Sequence, residues 1–553
     1  MGPMQLRIGK LFAVFVILLV VAGGRTFYLG AFQAGKLRQV ADGQQLTEVT
    51  VPALRGAILD RNGVPLAVSE PADDISATPY LVKDPSSAAS RISAIVGVSR
   101  ATLETALTKP NTGFVYLARG VPDAVAQRVA RLRIPGVALA PVAIRDYPDN
   151  TLAAQVLGTV GVDGTGLAGL EYSENSTLGG TNGVRREIND ALGDPISVDE
   201  VKQARPGKPI TLTLDSALEN AVENVLSGVG AKYSPQSATA IVMDPQTGAI
   251  LAMANWPRVN ANDVGAAPAS ALENRAVEMN FEPGSTFKVV AIGGALQDGL
   301  VTPQTNFYLP TSLQFYDRTI HDDDVRGPEE ASTSQILAQS SNIGAIEIGG
   351  KLGPPRFNYW VDRLGFGSLT GVDLPGEEQG IVPKPSQYSG VSMGNLPIGQ
   401  GESVTPLQLT TLYAAIANGG ILRRPHIVGA VAGKPTTEPA GHRVFDPNVA
   451  SELRSMLKGV LAPGGTASQV SIPGYQLAGK TGTANEVAAG SSVYSNTAYD
   501  ASFVGFAPAS DPKVVVSVEV SDPKGAIDGG QVAAPAFGQI MSFALPYLEI
   551  PPG

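Results

Sequence analysis

Ser285-Thr286-Phe287-Lys288, inside the stretch EPGSTFKVV (282–290), sets a hydroxyl and an amine three residues apart in front of an apolar run. On a helix, positions i and i+3 share a face, so the amine can reach the hydroxyl. A serine at a helix start also lies at the positive end of the helix dipole, with a backbone N–H that has no intrahelical acceptor. Such a pair suits attack on a carbonyl, with Ser285 as nucleophile, its N–H as a donor to the oxyanion, and Lys288 as base. An ordinary lysine is protonated at neutral pH, so partial burial and a second cation nearby are needed to lower its pKa. A polar helix start without chemistry accommodates the same four residues, and SxxK alone does not decide between the two.

Two further motifs decide it. Ser340-Ser341-Asn342 follows 55 residues on, inside a helical pattern, and KTGTA (480–484) lies 140 residues beyond that, at the start of a strand-like run. Ser340 can relay a proton to a leaving amine, and Asn342 can hold the lysine and a substrate amide. Lys480 supplies the second cation, and Thr481 and Thr483 offer hydroxyls to a substrate carboxylate beside its charge. The ordered set SxxK, SxN, KTG is far rarer than any one member, and is the set found in penicillin-binding proteins and class A β-lactamases.

Composition removes the competing chemistries. The chain has no Cys, so it has no thiolate nucleophile, disulfide or Cys-based metal site, and its three His (His321, His426, His442) are far apart in sequence. A Ser-His-Asp triad or a zinc motif therefore has little material. A net charge of −10 with no long Lys/Arg run argues against a nucleic-acid partner. At 553 residues, 43% hydrophobic and 16% charged, the chain is globular and long enough for two to four domains.

The motifs need elements to hold them. SALENAVENVLSGV (216–229) reads as a helix with an apolar face, and ATAIVMDPQTGAILAMAN (238–255) as a hairpin turning at Pro245-Gln246-Thr247-Gly248. Helical patterns follow around 285–297, 333–351 and 405–418, and QLAGKTGTA, ASFVGFAP and KVVVSVEV return to strands. An early hairpin, a block of helices and a late meander predict an α+β domain, an antiparallel sheet packed with helices. Before it, 51–69 alternates around a turn at Asn62-Gly63, 123–137 reads as an amphipathic helix, and KQARPGKP (202–209) reads as a linker. LFAVFVILLVVAGG (11–24), preceded by Arg7 and Lys10, is expected to be an uncleaved signal anchor rather than a peptide cut near Ala22-Gly23-Gly24. HDDD (321–324) is expected to be a solvated acidic loop rather than a cation site, and 486–499 a loop beside the site that could gate substrate.

With these motifs in order, the sequence resembles the class B penicillin-binding proteins, single-pass serine D,D-transpeptidases that cross-link peptidoglycan. RGAILDRNGVPLA (55–67), RDYP with AAQVLGTVG, GLAGLE (166–171), NRAVEMNFEPGSTFK, SSNIG, GQGESVTPLQL and GYQLAGKTGTA carry the likeness along nearly the whole chain. The compact segment 71–145 resembles the division type more than the elongation type. The resemblance implies a cytoplasmic stub and transmembrane helix over 1–30, an elongated mixed pedestal (a dimerisation-type domain) over 31–205, and a penicillin-binding/β-lactamase-like transpeptidase domain over 206–553. It implies Ser285 as nucleophile, Lys288 as base, Ser340, Asn342 and Lys480 as the remaining catalytic groups, and Thr481, Gly482 and Thr483 as the carboxylate-binding strand. The oxyanion hole would be the backbone N–H groups of Ser285 and Thr483.

The same resemblance implies stem peptides ending in D-Ala-D-Ala as substrate, β-lactams as inhibitors, and no cofactor or metal. It places the catalytic domain outside the cell membrane and the N-terminus in the cytoplasm. It also implies a polytopic SEDS-family glycosyltransferase as partner, met by the anchor and pedestal. Arg55, Asp60 and Arg61, crowded around the 51–69 hairpin, are candidate contacts for that partner, or else an ion-pair cluster bracing the hairpin. Two rival functions are a β-lactamase or β-lactam sensor and a non-catalytic scaffold. DLPGEEQGIVP (373–383) lacks the Leu-Asn that would follow Glu377 or Glu378 in a hydrolase of this group, and a scaffold has no need of three intact motifs.

Overall fold

The two apolar runs around Pro245–Gly248 fold back on each other as strands β1 (Ser237–Met243) and β2 (Ile250–Trp256). Gly248 closes the turn at φ 80°, a left-handed conformation that glycine adopts without steric cost, and Asp244 accepts from the Gln246 N–H at 2.7 Å. In this computed structural model, residues 3–33, 35–36, 46–189, 195–324, 326–438, 440–487 and 494–552 are described.

The meander near the C-terminus supplies β3 (Ala478–Val487), β4 (Tyr494–Ala507) and β5 (Val514–Ser521). The five strands form one antiparallel sheet in the order β2-β1-β5-β4-β3. Successive side chains on a strand point to opposite faces, and here both faces are covered. Ala238, Ala240 and Val242 of β1, with Val516, Val518 and Val520 of β5, meet α1 (Ser216–Tyr233) and the C-terminal helix Ala533–Tyr547, through Leu218, Leu226, Phe537 and Ile540. Ile241, Met243, Val504, Phe506 and Val515 turn to the other face, where the core includes residues of α2 (Lys288–Gln297) and of the helix Pro406–Ala417. Each large apolar side chain so buried contributes about 1.5–3 kcal/mol. The α+β architecture expected from the order of elements is the one observed.

Helical boundaries differ at two places. The pattern expected as one helix over 333–351 is α3 (Thr333–Ala338) followed by α4 (Asn342–Arg363), which is itself kinked at Gly353, φ 68°, before Pro354-Pro355. The break falls at Ser340, whose φ is 62°, and Ser341, whose hydroxyl caps α4 by accepting from the Gly344 N–H at 3.0 Å. The SxN motif therefore sits at a junction of two helices and not inside one. The amphipathic run expected over 123–137 is helical only over Asp123–Ala130, because the chain turns through a left-handed Arg133 before Pro135.

Compactness divides the chain into two units. One comprises residues 1–54, 70–144 and 180–206, the other 55–69, 145–179 and 207–553. The first holds the helix Pro3–Ala31, a three-stranded antiparallel sheet (Leu46–Val51, Gly183–Asn189, Pro195–Lys202) and a small core around Ile75, Ile92, Leu103 and Leu117. Within Arg7–Ala31 an 18-residue window has a mean hydropathy of 2.1 and none of it is buried, so the helix is long and apolar enough to cross a membrane. The second unit holds all three motifs. It also takes in the hairpin at Asn62-Gly63, where Ile58 pairs with Ala67 antiparallel and with Ile210 parallel.

Candidate active site

The Pro-Gly before Ser285 has a steric reason. Gly284 has φ 53°, and a Cβ on it would lie 2.7 Å from the carbonyl oxygen of Thr483 on β3. Gly482 answers from the strand side, since a Cβ there would meet the Pro283 carbonyl at 2.8 Å. Two glycines thus let the Ser285 turn press against the KTG strand. The turn is a 3-10 helix, Gly284–Phe287, running into α2 at Lys288. In 3-10 geometry residues i and i+3 eclipse, which sets Lys288 on the same line as Ser285. Phe287 anchors the turn against Phe366, with ring centroids 4.8 Å apart, and the Tyr413 hydroxyl donates to the Thr286 carbonyl at 2.9 Å.

Lys288 is fully buried. Its Nζ donates to Asn342 Oδ1 at 2.7 Å, to Ser340 Oγ at 3.2 Å and to the Ser340 carbonyl. Lys480, equally buried, donates to the same Ser340 Oγ at 2.9 Å and to the Thr481 carbonyl and hydroxyl at 3.1 and 3.2 Å. One hydroxyl therefore links the two lysines. The left-handed backbone at Ser340 places it there, a strained conformation for a residue with a side chain.

Burial drives both amines toward the neutral form. The Lys288 ammonium is lowered to about 8, chiefly by burial, against the opposing pull of the Asp323 and Asp322 carboxylates and with a smaller push from Arg326. Lys480 is lowered well below the ordinary lysine range by burial first and then by the charge of Lys288. Partial burial and a second cation, Lys480, are the two causes expected for Lys288, and burial is the one that acts on it first. Desolvation of Lys288 is the larger cause, and the repulsion between the two is most visible on Lys480.

Ser285, Ser340, Thr481 and Thr483 line a cleft of about 620 Å³, while Asn342 and the two lysines are not among its lining residues. Thr483 Oγ1 accepts from the Gly529 N–H at 3.0 Å, which leaves its own proton for a ligand. Thr481 Oγ1 is shared with Lys480 and with Thr466 at 2.7 Å.

The acidic run 321–324 is not a merely solvated loop. Asp322 accepts from the backbone N–H groups of Asn342 and Ile343 at 2.6 and 3.0 Å and from the Ser341 hydroxyl at 2.9 Å, so it caps the start of α4. Asn342 Nδ2 donates to Asp323 Oδ1 and to the His321 carbonyl, each at 3.1 Å. Asp323, Asp324, Arg326, Thr466 and Asp528 join the lining of the cleft. None of these five was legible from the three motifs. A helix start at Asn342, recognised first, would have pointed to a carboxylate cap.

Arg55 and Asp60 lie away from this cleft, within the same unit. Arg55 is 6% exposed and pairs with the fully buried Glu171, which Arg145 also engages at 2.7 Å. Arg55 further donates to Asn175 Oδ1 at 2.7 Å and to the Gly164 carbonyl at 3.1 Å. Asp60, wholly buried, accepts from the N–H groups of Asn62 and Val64 at 2.8 Å and from the Ser216 hydroxyl at 2.7 Å. The side chain of Arg61 is exposed. Of the expected loop over 486–499, residues 486–487 and 494–499 are strand, with Val487 opposite Tyr494, and residues 488–493 lie outside the described residues.

Comparison with known proteins accords with this geometry. The penicillin-binding protein transpeptidase domain matches residues 238–542, and the penicillin-binding protein dimerisation domain matches 50–212. The penicillin-binding protein PbpB of Mycobacterium tuberculosis is 34% identical over 98% of this chain and 84% of its own. The peptidoglycan D,D-transpeptidase FtsI of Escherichia coli is 33% identical over 96% of this chain and 90% of its own. The crystal structure of penicillin-binding protein 3 from Mycobacterium tuberculosis, complexed with aztreonam, superposes with a TM-score of 0.72 at 30% identity, covering 91% of this chain and 98% of that one. A transpeptidase match over more than half of the residues, preceded by the dimerisation domain, means that this chain belongs to the penicillin-binding proteins, in their class B form.

Proposed function

We propose that the chain is a serine D,D-transpeptidase that cross-links peptidoglycan stem peptides through an acyl-enzyme on Ser285, and that β-lactams acylate the same serine. The observation that carries this reading is the single hydroxyl of Ser340 joining Lys288 and Lys480 beside Ser285 in one cleft. Lys288, in its neutral form, accepts the proton of the Ser285 hydroxyl as Oγ attacks the carbonyl of the penultimate D-Ala. Two backbone N–H groups, those of Ser285 and Thr483, receive the oxyanion. The Thr483 and Thr481 hydroxyls, with Lys480 behind them, receive the terminal carboxylate. Ser340 then passes a proton to the departing D-Ala amine, and the bond from that nitrogen to the carbonyl carbon breaks as the ester on Ser285 remains. An amine from a second stem peptide attacks this ester, its proton returns through the same groups, and Ser285 is released. A β-lactam follows the first half of this path, but its amide nitrogen stays tethered to the acyl group.

The test is covalent labelling of the purified protein with a fluorescent penicillin, followed by peptide mapping. The adduct is expected on Ser285 and absent from Ser285→Ala. An adduct on another serine would remove the assignment.

The apolar helix Pro3–Ala31 supports a single-pass anchor, with Arg7 and Lys10 of its first turns on the cytoplasmic side and the catalytic unit outside. The similarity to PbpB and FtsI supports a role in division. A SEDS-family glycosyltransferase is the proposed membrane partner, met by the anchor and by the 51–69 hairpin. Within that hairpin Arg61 is the exposed cation, whereas Arg55 and Asp60 are occupied internally, so the contact is assigned to Arg61. Arg61→Glu is expected to reduce co-purification with the glycosyltransferase and leave penicillin acylation unchanged. Undiminished co-purification would rule out this contact.

A further inference from the structure

Another cavity, of about 310 Å³, lies in the catalytic unit and shares no lining residue with the Ser285 cleft. It is bounded by the C-terminal end of α4 at Arg363, by Gln408 and Thr411 of the helix Pro406–Ala417, and by Leu422, Arg423 and Arg424. Three guanidinium groups around one small cavity are unusual in a chain of net charge −10. The acidic group at the cavity, Asp362, already pairs with Lys384 at 2.8 Å. Arg424 is turned toward the Gly371 carbonyl and Asp373, and Arg363 gives one N–H to the Arg443 carbonyl at 2.8 Å.

Arg423 differs from both. Its Nε is enclosed and does not face the cavity, while among the described residues the side chain, which is half-buried and lines the cavity, forms no hydrogen bond or ion pair. The terminal N–H groups of a guanidinium so placed have no protein acceptor and are left to a bound one. Guanidinium presents its donors as a planar fork that matches oxyanions in two-point fashion, and adjacent cations favour an acceptor with more than one negative charge. The Leu369 and Leu422 side chains add an apolar wall for whatever body carries that anion.

We infer that this cavity is a binding site for a phosphate-bearing ligand, a phosphomonoester or pyrophosphate group, held by Arg423 with Arg363 and Arg424 beside it. The phosphate belongs to either a lipid headgroup or a soluble compound, and the two are separable by experiment. Isothermal titration of the full-length protein in detergent with inorganic pyrophosphate is expected to give saturable binding at one site per chain. Arg423→Gln and Arg363→Gln should each weaken it about tenfold or more, the loss expected for a charge-assisted hydrogen bond. Both variants should still be acylated by penicillin at the wild-type rate, which establishes that they are folded. Competition then separates the sources: displacement by monomeric dihexanoyl phosphatidic acid but not by glucose 1-phosphate marks a lipid headgroup, and the reverse marks a soluble phosphate. No saturable binding to the wild-type protein, or equal binding by the two acylation-competent variants, would overturn the assignment.

Discussion

Gly284 and Thr483 approach each other backbone to backbone, so closely that a methyl group on Gly284 would stand 2.7 Å from the Thr483 carbonyl oxygen. The turn that carries Ser285 and the strand that carries Thr481 and Thr483 are therefore one packed unit, and their separation is fixed by the absence of a side chain. Gly284→Ala adds a clash and also forces a Cβ into the left-handed region, at about 1–2 kcal/mol for the conformation alone. Relief requires the turn to move, and displacements on the order of 1 Å can cost roughly 100-fold in rate. Stopped-flow acylation by a chromogenic penicillin should show a loss of that order in a protein that remains folded by circular dichroism. A wild-type rate would mean that this contact does not position Ser285.

The second prediction follows from the buried amine. The proposed role of Lys288 as base requires its neutral form, and its ammonium is lowered to about 8, first by burial. At pH 7 about a tenth is then neutral, against well under a thousandth for an ordinary lysine. Acylation should therefore rise with pH, close to tenfold per unit below about 8 and flattening above it. Asp323 opposes the shift by stabilising the ammonium. Asp323→Asn keeps an oxygen for the Asn342 side chain to donate to, but removes the charge, so the inflection should move to lower pH. A profile measured from pH 6 to 9 checks both statements, and an unchanged inflection in Asp323→Asn would show that its charge is not felt at Lys288.

The parts of this site legible in the sequence are those where a residue's type and its local spacing do the same job. Ser285 and Lys288 are neighbours on one turn, and KTGTA lies in the first of three strand-like runs near the C-terminus. The α+β order was legible for the same reason, since the Pro245–Gly248 turn and the apolar strands around it signal locally. Ser340 was misplaced because its left-handed backbone is imposed by contacts with Lys288 and Lys480, 52 and 140 residues away. Asp322 and Asp323 were misread because a run of acidic residues looks solvated until the helix start that they cap is known. Arg55 likewise found its partner 116 residues on, at Glu171, which no local pattern encodes.

That last pair gives a stability prediction. Breaking a buried ion pair typically costs about 3–5 kcal/mol, because the remaining charge stays desolvated. Arg55→Met keeps the volume and removes the guanidinium, while Arg145 remains on Glu171 at 2.7 Å. The loss should thus lie near the lower end, about 3 kcal/mol, in denaturant melts. The rate at which folded protein is acylated by penicillin should not change, since neither Arg55 nor Glu171 lines the Ser285 cleft. A variant as stable as the wild type would mean that the network contributes little to folding.

The lifetime of the penicilloyl adduct separates a transferase from a hydrolase. Hydrolysis needs a carboxylate that activates water beside the ester. Glu377 is occupied elsewhere, accepting from the N–H groups of Thr370 and Gly371 at 2.7 and 3.0 Å, and Glu378 is exposed outside the cleft lining. The carboxylates that do line the cleft are Asp323, Asp324 and Asp528. Asp323 accepts from Asn342, and Asp528 accepts from Gln531 at 3.1 Å. Asp528 is raised above the ordinary carboxylate range by burial and by the charges of Asp323 and Asp324. None of the three is expected to deliver water to the ester, so intact-mass spectrometry should show the adduct persisting for many minutes after excess penicillin is removed. If unmodified protein returned rapidly with repeated turnover, the transferase reading would give way to a hydrolase. Asp528→Asn and Asp324→Asn would then identify the activating carboxylate by prolonging the adduct.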